Sequence, residues 1–216
     1  MAVKSNLLNM SLVLTLTCLV CSAVLGGAYV LTKDPIAAAA EAKTNKAIAA
    51  VLPAFDKAEK AEATLEGVET PYVYYEAVKG DELVGYAIES SVSGFGGELR
   101  VLVGIKADGL IYNTDVLVNN ETPGLGAKCA ESESLFRTQW QGFDPKSKIL
   151  AVKKEGGDID AITASTITSK AYTLAVENAV KVFDTLNGQS ADAASGASPA
   201  VSGEAKESNE GGQSNE

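Results

Sequence analysis

The 216-residue chain has no histidine, a single tryptophan and only three cysteines. Without histidine there can be no Ser–His or Cys–His nucleophile and no imidazole-ligated metal. Two of the cysteines, Cys18 and Cys21, sit in an apolar run, which leaves Cys129 alone in the polar remainder and excludes a disulfide framework there. Basic side chains are also scarce: 18 Lys and Arg stand against 28 Asp and Glu, for a net charge of −10. They form no cluster, so a nucleic-acid surface is excluded. The side chains therefore offer little catalytic chemistry of their own.

Charge is missing altogether from Ser5 to Thr32, and Leu7 to Leu31 is mostly apolar. At 1.5 Å per residue about 25 residues cover roughly 37 Å, enough to cross a hydrocarbon core of ~30 Å with some tilt. A cleaved signal peptide would have a shorter apolar region, although "CSAVLGGAYVLT" offers small residues near Ala23 and Gly27. A lipoprotein signal is disfavoured because Val20 and Thr17 precede the cysteines. An uncleaved anchor is the preferred reading. Lys4 is the only basic residue before the span, placing the N-terminus in the cytoplasm and the rest of the chain outside. Cys18 and Cys21 share one helical face. Packing is the simpler account, and half of an intramembrane metal site completed by another subunit is the alternative.

An alanine-rich segment follows, favouring helix until Pro53 interrupts it, and is read with its continuation as a helical stalk over 33–65. Stretches 71–78, 82–93, 99–107 and 110–118 are β-branched and aromatic with Gly or Asp-Gly turns between them, and "KADGL" is a hairpin signal. "ESLFRTQWQGF" reads as a short helix, and "SKILAVKKEGGDIDAI" as a strand or hairpin. Apolar residues at Tyr172, Ala175, Val176, Ala179, Phe183 and Leu186 predict a helix that Asn187-Gly188 ends. Beyond it, 188–216 has almost no large apolar side chain and reads as a disordered tail. The expected order is an anchor (1–32), the stalk (33–65), one α+β domain (66–187) with an antiparallel sheet and flanking helices, and the tail.

Three stretches bear on function. "SGFGGELRVLVGI" most simply forms a turn between strands, and "NNETPGLGAKCAE" a tight exposed turn after one. "DAITASTITSKA", 160–171, packs hydroxyls at the entry to a helix, where they could cap it or where the helix amides could hold a phosphate. Together, "GFGG", "ETPGLG" and the Thr163-Ala164-Ser165-Thr166 motif behind a single span resemble the covalent FMN-binding family. Its members include the G subunit of the Rnf electron-transport complex and the C subunit of the sodium-pumping NADH:quinone oxidoreductase. The resemblance covers roughly residues 5 to 187 and is strongest to the G subunits.

That resemblance implies an FMN joined through its phosphate to Thr166 by a flavin transferase that uses FAD. Thr163, Ser165 and Thr168 are neighbouring hydroxyls, and Ala164 and Ile167 complete the motif. Glu121, Thr122, Gly124, Leu125, Gly126 and Lys128 would shelter the ring, with Leu125 packed on it. Ala164 stands where the family usually has glycine and Ser165 where it has alanine; Asn119 replaces a frequent histidine. The implied protein is an electron-relay subunit in a bacterial inner membrane, its flavin domain periplasmic. It would work with other membrane, iron–sulfur and flavin subunits of a ferredoxin:NAD oxidoreductase that moves Na⁺ or H⁺, without a resident metal. The quinone-reductase C subunit and a free-standing flavin reductase are rivals within the redox class. A non-redox binding module, in which the hydroxyls only cap a helix, is the rival outside it.

Overall fold

The computed structural model describes residues 7–65 and 70–194. Its centre is a five-stranded antiparallel sheet in which every strand pairs with its neighbour in sequence. The strands are β1 (Lys57–Ala63), β2 (Tyr72–Lys79), β3 (Glu82–Ser93), β4 (Glu98–Lys106) and β5 (Ile111–Asn119). β2 to β5 fall within a residue or two of the stretches expected from their alternation. The "KADGL" hairpin closes as anticipated: Lys106 N donates to Leu110 O at 2.9 Å and Gly109 takes φ 91°.

Each face of the sheet is covered by one long helix, and the two helices bury different apolar sets. Helix α3 (Thr166–Ala194) lays Tyr172, Ala175, Val176, Ala179, Phe183 and Leu186 on one face, all buried against Tyr86, Ile88, Val101 and Val103. Short helix α2 (Leu135–Thr138) and Trp140 seal the same core, with Trp140 stacked on Tyr172. The Tyr172 hydroxyl donates to Thr114 Oγ1 at 2.8 Å, and burial pushes its pKa up. Arg137 is nearly buried and pins this region to β5 through Asp115 at 2.9 Å and the carbonyl of Thr114, and to the turn after it through Ala130 O.

The opposite face carries the end of α1 (Leu7–Val51), a 45-residue helix whose apolar N-terminal part is long enough to cross a membrane. Its last turns bury Ala47, Ile48, Val51 and Leu52 against Ala77, Ala87, Leu102 and Leu117. A helix end leaves carbonyls without partners. Here Asn113 Nδ2 donates to Ala50 O at 3.0 Å, and Lys43 Nζ bonds back to Leu117 O. Gly104 makes the close approach possible, since a Cβ there would lie 1.8 Å from Val51 O. Pro53 forbids continuation of the helix.

Three expectations are corrected. The stalk is helical only to Val51, and Lys57–Ala63 is the edge strand β1, paired along its whole length with β2. The stretch 147–162 forms neither a strand nor a hairpin. It is a compact loop with a 3₁₀ turn at Lys153–Glu155 and one parallel bridge, Val152 to Ile159. Helix α3 runs through Asn187-Gly188 to Ala194, because Gly188 does not take the left-handed conformation that a glycine stop requires. The remainder of the expected tail, from residue 195, lies outside the described residues.

Candidate functional site

The three stretches singled out in the sequence meet at one end of the sheet. The β3–β4 turn (94–97), the segment after β5 (120–126) and the entry to α3 enclose a cleft of about 380 Å³. It is lined by Phe95, Glu121, Thr122, Leu125, Gly126 and the run from Ala164 to Thr168. Lys128 and Thr163 line a neighbouring groove that passes α2, and Gly124 forms the turn itself with φ 77°. Phe95 was not among the expected site residues. Its position inside "GFGG" was the available signal, since an aromatic held between glycines on a turn has little core to enter; it is 68% exposed.

Glu121 ties the three segments together. Its side chain is 6% exposed, and its carboxylate accepts from Phe95 N at 2.8 Å, Gly96 N at 3.3 Å and Thr168 Oγ1 at 2.9 Å. The packing around it leaves no space for side chains at the adjoining glycines. A Cβ at Gly94 would lie 1.9 Å from Glu121 Oε1, and one at Gly126 would lie 2.5 Å from Thr168 Oγ1. Cys129 lies beneath this knot; burial, then the nearby Glu121 charge, push its thiol up to about 11, so it is an inert core residue.

The entry to α3 is built on a tight turn. Ser165 N donates to Ile162 O at 3.0 Å, and Ala164 takes φ 60°, the one non-glycine left-handed residue among those described. An alanine there bears about 1–2 kcal/mol of strain that glycine would not. Ser169 Oγ holds the turn from below, accepting from Ile162 N and donating to Ser165 O, each at 2.9 Å. Helix α3 then begins at Thr166, and the amides of its first turn have no carbonyl ahead of them and point partial positive charge into the cleft.

The hydroxyls of this segment are not equivalent. Thr168 and Ser169 are buried and engaged, Ser165 is 7% exposed, and Thr163 faces the other groove. Thr166 is half-buried, lines the cleft, and its hydroxyl has no partner among the described residues. Around it stand three exposed apolar side chains, Phe95, Leu125 and Ile167. The site therefore offers a free hydroxyl, a helix start suited to an anion, and an apolar rim able to cover a flat ring. No group of His, Cys, Asp and Glu that could hold a metal occurs among the described residues.

Comparison with known proteins identifies the family. A family model described as an FMN-binding domain matches residues 94–181. The G subunit of the Na⁺-translocating ferredoxin:NAD⁺ oxidoreductase complex of Acetobacterium woodii is 41% identical over 129 residues, 56% of this chain and 61% of that one. The G subunit of the proton-translocating ferredoxin:NAD⁺ oxidoreductase complex of Clostridium ljungdahlii is 32% identical over 179 residues, covering 81% and 90%. The G subunit of an ion-translocating oxidoreductase complex of Shewanella baltica is 30% identical over 193 residues, covering 84% and 91%. Among solved structures, the NqrC of Shewanella oneidensis matches with a TM-score of 0.46 and 19% identity over 66% of this chain and 72% of that one. The chain belongs to the family of G subunits of ion-translocating oxidoreductase complexes and carries that family's FMN-binding domain.

Proposed function

We propose that this protein is the membrane-anchored electron-relay subunit of an Rnf-type ferredoxin:NAD oxidoreductase complex that translocates ions, carrying FMN esterified through its phosphate to Thr166. The observation that carries the reading is the unengaged Thr166 hydroxyl at the first position of α3, in a cleft rimmed by Phe95, Leu125 and Ile167. FMN, when bound, supplies the capacity to accept and donate one or two electrons. The chain's own residues hold and orient it. The Thr166 oxygen would be the point of attachment, and the Ile167 and Thr168 amides would face the phosphodiester at the positive end of the helix. No basic side chain lines the cleft, and helix amides suit a phosphodiester with its single remaining negative charge. Leu125, Ile167 and Phe95 would exclude water from the ring, while Glu121 keeps the three segments in register.

A single flavin on one anchor moves no ion, so partner subunits are required for translocation, and a flavin transferase for maturation. The apolar part of α1 would cross the inner membrane with the N-terminus in the cytoplasm and the flavin domain outside. The test is coexpression of the chain with a flavin transferase, followed by mass spectrometry of the tryptic peptide from Glu155 to Lys170. An FMN adduct on Thr166, lost in Thr166→Val without loss of fold, is expected. An adduct on Ser165 would correct the residue. Absence of any adduct in the presence of active transferase would leave the hydroxyls as a helix cap and refute the flavoprotein reading.

A further inference from the structure

Of the residues that line the cleft, Glu121 alone has an ionisable side chain. All three of its partners donate to it, as an ionised carboxylate requires: Phe95 N, Gly96 N and the Thr168 hydroxyl. Each of those donors is neutral. They hold the charge in a nearly buried place without cancelling it, whereas a salt bridge would hold the same carboxylate and remove most of its field.

The basic side chains around the cleft are turned elsewhere or already paired. Lys128 is exposed and lines the neighbouring groove. Arg137 pairs with Asp115, Arg100 with Glu98, Lys153 with Asp160 and Lys170 with Glu155. What remains is the positive end of α3, equivalent to about half a charge. It faces the point of attachment at Thr166, where a phosphodiester would bring one full negative charge of its own. The electrostatic sum at the cleft is therefore negative.

We infer that Glu121 sets the reduction potential of the flavin, its fixed negative charge holding that potential low, in addition to joining the three segments. The inference rests on the reading of the cleft as the FMN site. Reduction adds negative charge to the ring, so a carboxylate in the wall of its cleft opposes the gain of electrons and favours handing them on, as a relay must. Across a separation of ~10 Å at an effective dielectric of about 20, one charge changes a reduction equilibrium about tenfold. The near burial of Glu121 limits screening of that field by salt.

The experiment is a spectroelectrochemical titration of the full chain in detergent, loaded by coexpression with a flavin transferase. It is run at mildly alkaline pH, where the reduced ring keeps its negative charge. Glu121→Gln removes the charge and keeps the size of the side chain, and the Thr168 hydroxyl can rotate to accept from the new amide. At a fixed potential its ratio of reduced to oxidised flavin should rise about tenfold over wild type, which is a midpoint about 30 mV higher for a two-electron couple. Thr168→Val disturbs the same junction but retains the carboxylate, and its midpoint should not rise. The absorbance of the attached ring reports loaded molecules alone, so partial loading of a variant does not obscure the comparison. A midpoint in Glu121→Gln equal to or below that of wild type overturns the inference. So does an equal rise in Thr168→Val, which would assign the shift to loosened packing. Both of those results leave the FMN reading in place, because the wild-type chain still carries its flavin. A wild-type chain that takes up no FMN overturns that reading and the inference with it.

Discussion

Truncating Glu121 to alanine tests whether one carboxylate holds the cleft together. The side chain accepts two short hydrogen bonds, from Phe95 N at 2.8 Å and Thr168 Oγ1 at 2.9 Å, and a longer one from Gly96 N at 3.3 Å. Hydrogen bonds to a charged acceptor contribute about 1.5 kcal/mol or more each, so losing the two short ones costs about 3 kcal/mol, and the long one adds little. At roughly 2–4 °C per kcal/mol for a domain of this size, the melting temperature should fall by about 6–12 °C. The assay is thermal unfolding of the full chain in detergent, followed by circular dichroism. Glu121→Gln retains one acceptor and should lose less than half as much. Glu121→Ala combined with Thr168→Val should be less than additive, because both changes remove the same bond. A Glu121→Ala protein melting within about 2 °C of wild type would show that the three segments hold their arrangement without the carboxylate, and would refute the reasoning.

Other expectations follow from the same geometry. Ala164→Gly relieves about 1–2 kcal/mol of left-handed strain against about 0.4–1 kcal/mol lost through a looser unfolded chain, so it should stabilise by about 0.5–1 kcal/mol, whereas Ala164→Val should lose about 1–2 kcal/mol in denaturant titration. Gly104→Ala sets a Cβ against the Val51 carbonyl and should cost about 1–3 kcal/mol, with faster proteolysis between Leu52 and Lys57; unchanged cleavage would show that α1 is held elsewhere. Because the Cys129 thiol is raised from 9.0 to about 11, the unfolded chain ionises first, and stability from this group is lost as pH climbs from 9 to 11. Cys129→Ala should make the decline over that window shallower in alkaline unfolding curves.

Much of the sheet was legible because β2 to β5 carry two signals that agree: side chains suited to a half-buried pleat and turn residues at the joins. The stretch "KAEKAEA" carries the opposite local signal, since Ala, Glu and Lys favour helix. Pairing along all of β2 overrides that preference, and the charges serve to protect an edge. The site was legible as segments rather than as a constellation. Glycines in "GFGG" and "ETPGLG" and hydroxyls in "TASTIT" each admit a plain structural account. What no spacing rule reveals is that Glu121 reaches Phe95 and Thr168 at once, because that convergence is created by the meander returning three distant segments to one end of the sheet. Cys18 and Cys21 are free thiols exposed on α1.

The docking of α1 also has a consequence for biosynthesis. The apolar face formed by Ala77, Ala87, Leu102 and Leu117 is closed mainly by Ala47 to Leu52, which leave the ribosome long before β5 exists. The end of the helix must therefore wait until β4 and β5 have been made. An anchorless form that begins at Lys33 keeps this cover and can complete the sheet on its own. One that begins after Leu52 would leave a bare apolar surface on the sheet, open to association with other chains. The segment that looks like a tether in the sequence is thus half of one core, and the true start of the folded unit lies within the helix.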